Sequence, residues 1–325
     1  MLTDRAAERR IARHRHQLKP QTVRAGAIAD AWSLLVCCAR NEMPRMPAFL
    51  AHYRRLGVGH FLVLDNQSDD GLQDYLAQQP DCSTWLADGS YKASNFGMDW
   101  CNALLAQYGV GKWCLTVDPD EFLVYPYCEQ RDLHSLTARM EAIGQPSLFA
   151  VLIDAYGEGP LSRTTLTPDG DPFDICPWFD RFNLTQRFDP ETEGFWVQGG
   201  VRMRRFFADR PELAPALNKV PLVRWAPGLR YVSSMHHLND RRLNCTVNGR
   251  KDAVSASLFH FKYVSLLRDK ASEEMVRGEH YAGSTEYKAY FDAGDVVLHD
   301  PSISLRFAGS EQLLQLGFMQ AGTWF

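Results

Sequence analysis

Several things are missing from this sequence, and each absence excludes a class of protein. None of the eight cysteines (Cys37, Cys38, Cys82, Cys101, Cys114, Cys128, Cys176 and Cys245) stands in a Cys-x-x-Cys pair, so nothing argues for a thiolate zinc site. Several lie inside apolar runs, where a free cysteine behaves as a small hydrophobe, and a reducing compartment is expected. No apolar run approaches the roughly 18 residues of a membrane span. The N-terminus lacks the apolar core of a secretory signal. A soluble, cytoplasmic protein is therefore expected. There is no internal repeat and no low-complexity segment. Nor is there a basic excess: 35 Lys and Arg face 39 Asp and Glu, a net charge of -4, which argues against a dedicated nucleic-acid binder.

What is present is globular. The chain has 325 residues, 45% hydrophobic and 23% charged, close to the average of folded domains. A chain this long buries about three quarters of its unfolded surface, so it needs no metal or disulfide staple. Aromatics make up 12%, enough for stacking platforms as well as core.

Residues 1–30 read as a basic N-terminal arm. Arg5, Arg9, Arg10, Arg13, Arg15, Lys19 and Arg24 stand against Asp4 and Glu8. The arm is expected to be a solvated helix or frayed segment. The alternative is a peripheral contact with an anionic membrane face, though the segment lacks the apolar stripe of an interfacial helix.

Regular alternation then begins. Ser33 to Ala39 is a continuous apolar run, as in a strand buried on both faces. Phe49, Leu50, Tyr53 and Leu56 repeat at helical spacing before Gly57. Phe61 to Leu64 forms a second strand, and Thr84 to Ala87 a short third. Phe96, Trp100 and Leu104 mark a helix stopped at Gly109. Lys112 to Val117 is a strand, Leu133, Leu136 and Met140 mark a helix ended by Gly144, and Ser147 to Ile153 is another strand. Such alternation predicts an open, mostly parallel α/β sheet with helices on both faces. Its ligands bind beyond the carboxyl ends of the strands. Residues 40–42, 65–71 and 118–121 all fall at such ends. Residues 157–198 are rich in Gly, Pro, Asp and Thr and read as long loops. Order resumes at 199–204 and 257–263, and 265–293 reads as polar and helical.

Asp118 and Asp120 follow a buried strand, one residue apart on a turn made by Pro119. Two carboxylates so placed suit one Mg²⁺ or Mn²⁺ ion, although a solvated acidic turn has the same pattern. Asp65 ends the second strand, where its carboxylate can accept from a ribose or base, or else form an Asx turn with Ser68 or Asp69 capping the next helix. His260 and Lys262 lie two apart in an apparent strand, opposite Phe259, Phe261 and Tyr263. That spacing offers an imidazole to a metal and an ammonium to phosphate oxygens. His236 and His237 are rivals for the imidazole role. Gly199-Gly200 marks a close backbone approach, after which Arg202 and Arg204 would share a face suited to anions.

The runs Val36 to Glu42, Phe49 to Gly57, Val63 to Gly71 and Asp118-Pro119-Asp120-Glu121-Phe122 together resemble the nucleotide-sugar half of family 2-type glycosyltransferases. They are most similar to the branch whose D-x-D is written D-x-D-E-F. Gly199-Gly200-x-Arg202-x-Arg204, Lys219 to Val223 and His260-Phe261-Lys262 extend the resemblance over residues 33–265. It implies a GT-A type fold: a Rossmann-like sheet flanked by helices over 31–155, an irregular acceptor-side half over 156–265, and a helical C-terminal region over 266–325. It implies a nucleotide-diphosphate sugar donor, usually UDP-linked, a bound Mn²⁺ or Mg²⁺, and a glycan, lipid-linked or surface-polysaccharide acceptor. By position, Arg40, Asn41, Glu42 and Asp65 would meet the nucleoside. Asp118 and Asp120 would meet ribose, metal and diphosphate, with Lys262 beside the phosphates and His260 as the third metal ligand. Family 2 members invert the anomeric centre with a carboxylate base. Asp154, Asp189, Glu191 and Glu193 are the candidates. Two other readings stand beside this one: a D-x-D phosphohydrolase, and a non-catalytic nucleotide-sugar or glycan-binding protein.

Overall fold

The computed structural model describes residues 2–267 and 285–324. Helix α1 (Leu2–Arg15) leads into β1 (Leu18–Thr22), α2 (Ala25–Asp30), β2 (Ser33–Ala39), α3 (Met46–Leu56), β3 (His60–Asp65), α4 (Leu72–Ala77), β4 (Cys82–Ala87) and α5 (Met98–Leu104). Then come β5 (Trp113–Thr116), β6 (Glu121–Val124), α6 (Leu133–Ala142), β7 (Ser147–Tyr156), α7 (Pro172–Ile175), β8 (Trp178–Asp180), β9 (Thr185–Asp189), β10 (Gly194–Gln198) and α8 (Gly200–Phe206). Finally β11 (Asn218–Arg224), β12 (Tyr231–Ser233), β13 (His237–Leu238), β14 (Ala256–Tyr263) and β15 (Ser304–Arg306) complete the strands, with helices at Thr285–Ala293 and Ser310–Leu316.

One sheet of eleven strands runs through the molecule in the order β1-β4-β3-β2-β5-β11-β7-β14-β6, with β8 on β7 and β15 on β8. Its first half has the expected parallel pairing, β4-β3-β2-β5. The second half is mixed: β11 is antiparallel to both β5 and β7, β14 is parallel to β7, and β6 is antiparallel to β14. The architecture is a Rossmann-like α/β sheet flanked by helices.

Both faces are covered. From β2, Leu35, Cys37 and Ala39 enter one hydrophobic cluster with Phe49, Leu50 and Tyr53 of α3. Leu34 and Val36 enter another with Met98, Trp100 and Leu104 of α5. This two-sided burial is why β2 and β3 read as unbroken apolar runs rather than as alternations. Helix α3 ends where Gly57 takes φ 91°, its amide returning to Arg54 and Tyr53 carbonyls, a left-handed stop that glycine makes at no steric cost.

Three expectations are corrected here. The N-terminal segment is helical and largely exposed, as expected, but it is docked on the domain rather than free. β1 is an edge strand antiparallel to β4, and α1 lies against α5, where Arg10 and His14 both bond the buried Asp99. Charge pairing rather than apolar area docks it, so hydropathy carried no signal. Residues 157–198 are not simply loops: they hold α7, β8 and the separate β9-β10 hairpin. Residues 200–206 form helix α8, not an extended segment, so Arg202 and Arg204 do not share a face. Gly199 has φ 140°, and a Cβ there would lie 2.5 Å from the Asn183 carbonyl oxygen. The close approach is to the protein's own backbone rather than to a ligand. Residues 268–284 of the expected polar helix lie outside the described residues. No helix among the described residues is long and apolar enough to cross a membrane.

Candidate active site

The carboxyl ends of β2 and β3 carry two loops that are stitched together. Arg40 donates to the Asn66 and Gln67 carbonyls at 2.8 and 2.9 Å. The Asn41 amide donates to Ser68 Oγ, Asn41 Oδ1 accepts from the Asp69 amide, and the Met43 amide donates to Asp70. Asn41 takes φ 51°, a left-handed conformation that asparagine tolerates. Asp65 is buried and accepts from the Ser68 amide at 3.1 Å, from Ser68 Oγ and from Gln73 Nε2. The Asx-turn reading of Asp65 thus accounts for its present partners, while Asp70, not Ser68 or Asp69, accepts from the Leu72 amide at the start of α4. Glu42 is bonded by Arg45 at 2.8 Å.

Beyond β5, the chain turns at Asp118-Pro119-Asp120. Neighbouring strands bring charged groups to the same rim from far along the sequence. β11 contributes Lys219, which is 5% exposed; its Nζ stands 2.9 Å from Glu121 Oε1 and 3.7 Å from Asp118 Oδ2. β14 contributes His260, whose Nε2 lies 3.3 Å from Asp120 Oδ2. Arg45 comes within 3.9 Å of the same Asp120 oxygen.

Behind His260 lies a second layer. Its Nδ1 donates to Asp154 Oδ1 at 2.8 Å, and Asp154 is its register partner on β7. Arg202 of α8 holds Asp154 with two hydrogen bonds, of 2.7 and 2.6 Å. Asp154 and Arg202 are both almost fully buried, a place where charges persist only when paired. Burial opposes the charge on Asp154, but Arg202 overrides it and holds the carboxyl well below its usual range. Burial likewise opposes protonation of His260, yet Asp120 and Asp154 on its two nitrogens raise it to about 9. Burial and the adjacent Glu121 carboxylate push Asp118 up to about 7, against the Lys219 ammonium. As 41% of the Asp118 side chain is open, solvent weakens the burial effect, and the rise is carried in part by the neighbouring Glu121 carboxylate.

The site residues expected from sequence therefore fall into groups. Asp118, Asp120 and His260 share one rim, and Arg40, Asn41, Glu42 and Asp65 form the adjoining pair of loops. Lys262 follows an irregularity in the β14 register, and its ammonium lies 5.0 Å from the Tyr290 ring. The same irregularity puts Tyr263 in a different cluster from Phe259 and Phe261, which the strict alternation had placed on one face. Asp189, Glu191 and Glu193 sit at the turn of the β9-β10 hairpin. Asp189 accepts from the Glu191 amide and Thr192 Oγ1, which hold it below the ordinary carboxyl range, and Glu191 and Glu193 are exposed. Asp154, the fourth base candidate, is locked to Arg202. His236 is bonded to the Asn218 carbonyl oxygen, whereas His260 is the histidine beside Asp120.

Sequence reasoning assigned no role to Lys219, Glu121, Arg45 or Arg202 as ion-pair partners. For Lys219, Glu121 and Arg202 the signal was their position within the family-like segments; Arg45 lies between two of them.

Carboxylate oxygens and an imidazole whose far nitrogen is held by a carboxylate form a donor set of the type that binds Mn²⁺ or Mg²⁺. Among the described residues, however, no three His, Cys, Asp or Glu side chains are gathered into one coordination shell.

No protein-family model matches the chain. No curated protein matches it. Among solved structures, a mannosyltransferase from S. cerevisiae is similar over 47% of this chain and 49% of its own, with 12% identity and a TM-score of 0.24. The chain thus spans about half the length of that protein. Mannose-1-phosphate geranyltransferase from Thermus thermophilus is similar over 82% of this chain and 69% of its own, with 11% identity and a TM-score of 0.28.

Proposed function

We propose that the protein is a glycosyltransferase that moves a sugar from a nucleotide-diphosphate donor, of the UDP type, to a hydroxyl of a glycan acceptor, with inversion. The observation that supports this most is the convergence of Asp118 and Asp120 beyond the carboxyl end of β5, Lys219 at the amino end of the antiparallel β11 and His260 on β14, next to the stitched loops of β2 and β3. Open α/β sheets bind ligands at this edge.

In this reading the two loops hold the nucleoside, with Glu42 and Asp65 as acceptors for base or ribose. Asp120 and His260 are the residues that would hold an Mn²⁺ or Mg²⁺ ion, with Asp118 beside them toward the ion or the ribose. A bound cation stabilises the charge that grows on the departing diphosphate. The chain's own part is to prepare for that charge. Asp154 keeps the proton on Nδ1 of His260, which leaves Nε2 as the nitrogen that faces Asp120. Arg202 keeps Asp154 ionised. Lys219 offsets the two acids Glu121 and Asp118 on the side where a diphosphate would arrive.

The test is release of free nucleotide from a panel of UDP-sugars and other nucleotide sugars. A transferase gives release that needs the cation and is stimulated by acceptor. Release of inorganic phosphate from phosphate esters would favour the phosphohydrolase. Binding without turnover would favour the non-catalytic protein. A thermal shift with UDP and Mn²⁺ is the first screen, since ligand at 100 times its Kd stabilises by about 2.7 kcal/mol.

A further inference from the structure

The reading above leaves open which group takes the proton of the attacking hydroxyl. The carboxylates around the rim are committed. Glu121 accepts from Lys219 and from the Asp118 amide, Glu42 from Arg45, and Asp154 from Arg202 and His260. Asp118 and Asp120 belong to the donor side. Asp189 accepts from its own turn.

Among the described residues, His236 is a titratable side chain next to this rim with a ring nitrogen left to accept a proton. His236 closes a short 3₁₀ turn, Ser234–His236, between β12 and β13. The turn starts from Ser234 at φ 46°, a left-handed conformation seldom taken by serine. His236 Nδ1 lies 2.5 Å from the carbonyl oxygen of Asn218, the residue before Lys219. A carbonyl oxygen only accepts, so Nδ1 must carry the hydrogen and the tautomer is fixed. In the neutral ring, Nε2 then holds a lone pair. Nε2 has no hydrogen-bond or ion-pair partner among the described residues, and the ring is half-buried. The groups that face it electrostatically are Lys219, His237 and Arg202. Burial and then the Lys219 ammonium hold the free ring neutral, with its protonation pushed down to about 3. A donor diphosphate beside Lys219 would cancel that ammonium's field and make the lone pair a stronger base as the substrate arrives. The β9-β10 hairpin leans on the same turn: a Cβ on Gly194 would come within 3.3 Å of the His237 ring.

We propose that His236 Nε2 is the proton acceptor for the acceptor hydroxyl. This inference rests on the glycosyl-transfer reading. As the hydroxyl oxygen bonds to the anomeric carbon, its proton passes to Nε2. The bond between the anomeric carbon and the diphosphate oxygen breaks, and its electron pair leaves on the diphosphate. The imidazolium then returns its proton to water. The positive charge on the ring forms while the negative charge on the leaving group is greatest.

The experiment compares wild type with His236→Asn and His236→Ala. Asparagine keeps a donor at the Nδ1 position, and hence the bond to the Asn218 carbonyl, but has nothing at Nε2. With the nucleotide sugar that the wild type turns over, His236→Asn should lose about 10²- to 10⁴-fold in kcat. Its affinity for UDP plus Mn²⁺ should stay within twofold, and added imidazole should restore part of the activity of His236→Ala. Independently of turnover, diethyl pyrocarbonate should carbethoxylate His236, as mapped by mass spectrometry. Turnover of His236→Asn within threefold of wild type overturns the inference. So does loss of UDP affinity in step with kcat, or resistance of His236 under conditions that modify the exposed His16. A wild type that turns over no nucleotide sugar is a different result. It removes the glycosyl-transfer reading and this inference together.

Discussion

His260 and Asp154 are direct register partners on the parallel strands β14 and β7, and the imidazole Nδ1 donates to the carboxylate at 2.8 Å. The two residues are 106 positions apart, yet the pairing makes their side chains neighbours on one face. It fixes which nitrogen of His260 faces Asp120, and it does so from the strand pairing itself rather than from a loop. A site built this way is as rigid as the sheet.

Breaking the second layer should cost stability before it costs chemistry. Asp154→Asn leaves the buried Arg202 without its counter-charge, so a loss of about 3–5 kcal/mol is expected. Urea unfolding checks this. Replacing Asp154 and Arg202 together by apolar residues should cost much less than the two single changes added. A loss under about 1 kcal/mol for Asp154→Asn would mean that the pair is not formed.

The rim residues should behave in the opposite way. Asp120 sits at a turn rather than in the hydrophobic core, so Asp120→Asn should leave the free protein folded and cost it only the part of the His260 charge stabilisation that Asp120 supplies. It should abolish the extra stabilisation by UDP plus Mn²⁺. His260→Ala should weaken the same binding, and the double variant should lose far less than the sum, because both act through one ion. Strict additivity in titration calorimetry would place the two in separate sites.

The stability that His260 contributes to the free protein should fall as pH rises above 6.5. His260 is raised from 6.5 to about 9 when folded, so its contribution is complete below pH 6.5 and is lost as pH climbs through 9. Asp118, raised from 3.8 to about 7, has the same sign over a lower window. The melting-temperature advantage of wild type over His260→Gln should therefore narrow between pH 6.5 and 9, by an equivalent of at most about 3 kcal/mol. A gap that is flat over that window would remove the assigned protonation.

Deleting residues 1–23 should destabilise the protein. The cut strips β1 from the edge of β4 and removes Arg10 and His14 from Asp99, a carboxylate at 0% exposure in the full chain. An uncompensated buried carboxylate costs several kcal/mol, so Asp99→Asn should recover part of the loss in the truncated chain and lower stability in the full one. Equal denaturant midpoints for the full and truncated proteins would show that α1 does not dock as described.

Much of the architecture was legible in local pattern. The apolar runs at 33–39 and 61–64, the helical spacing before Gly57, and the acids at strand ends placed the parallel half of the sheet and its carboxyl edge. The adjacency of Asp118 and Asp120 marked the rim without any tertiary information. These signals are short in sequence, and burial of a strand or a helix face writes them directly into residue type.

What local pattern did not carry was decided by pairing across distance. Arg202 reads like any arginine after a glycine pair, and only helix α8, 48 residues beyond Asp154, gives it a buried carboxylate. The basic N-terminal residues read as a solvated face until Asp99, 89 residues after Arg10, is seen to take that charge. His236 and His260 were open alternatives for one role. The structure bonds His236 to a backbone carbonyl on β11 and sets His260 in register with Asp154 on β7, beside Asp120. Residue order was enough to set which segments of the parallel half are strands and helices, and where the acids stand along them. Which charges meet was settled by the folded arrangement alone, because an ion pair leaves no periodic trace in the chain and its partners are chosen by the order of strands in the sheet.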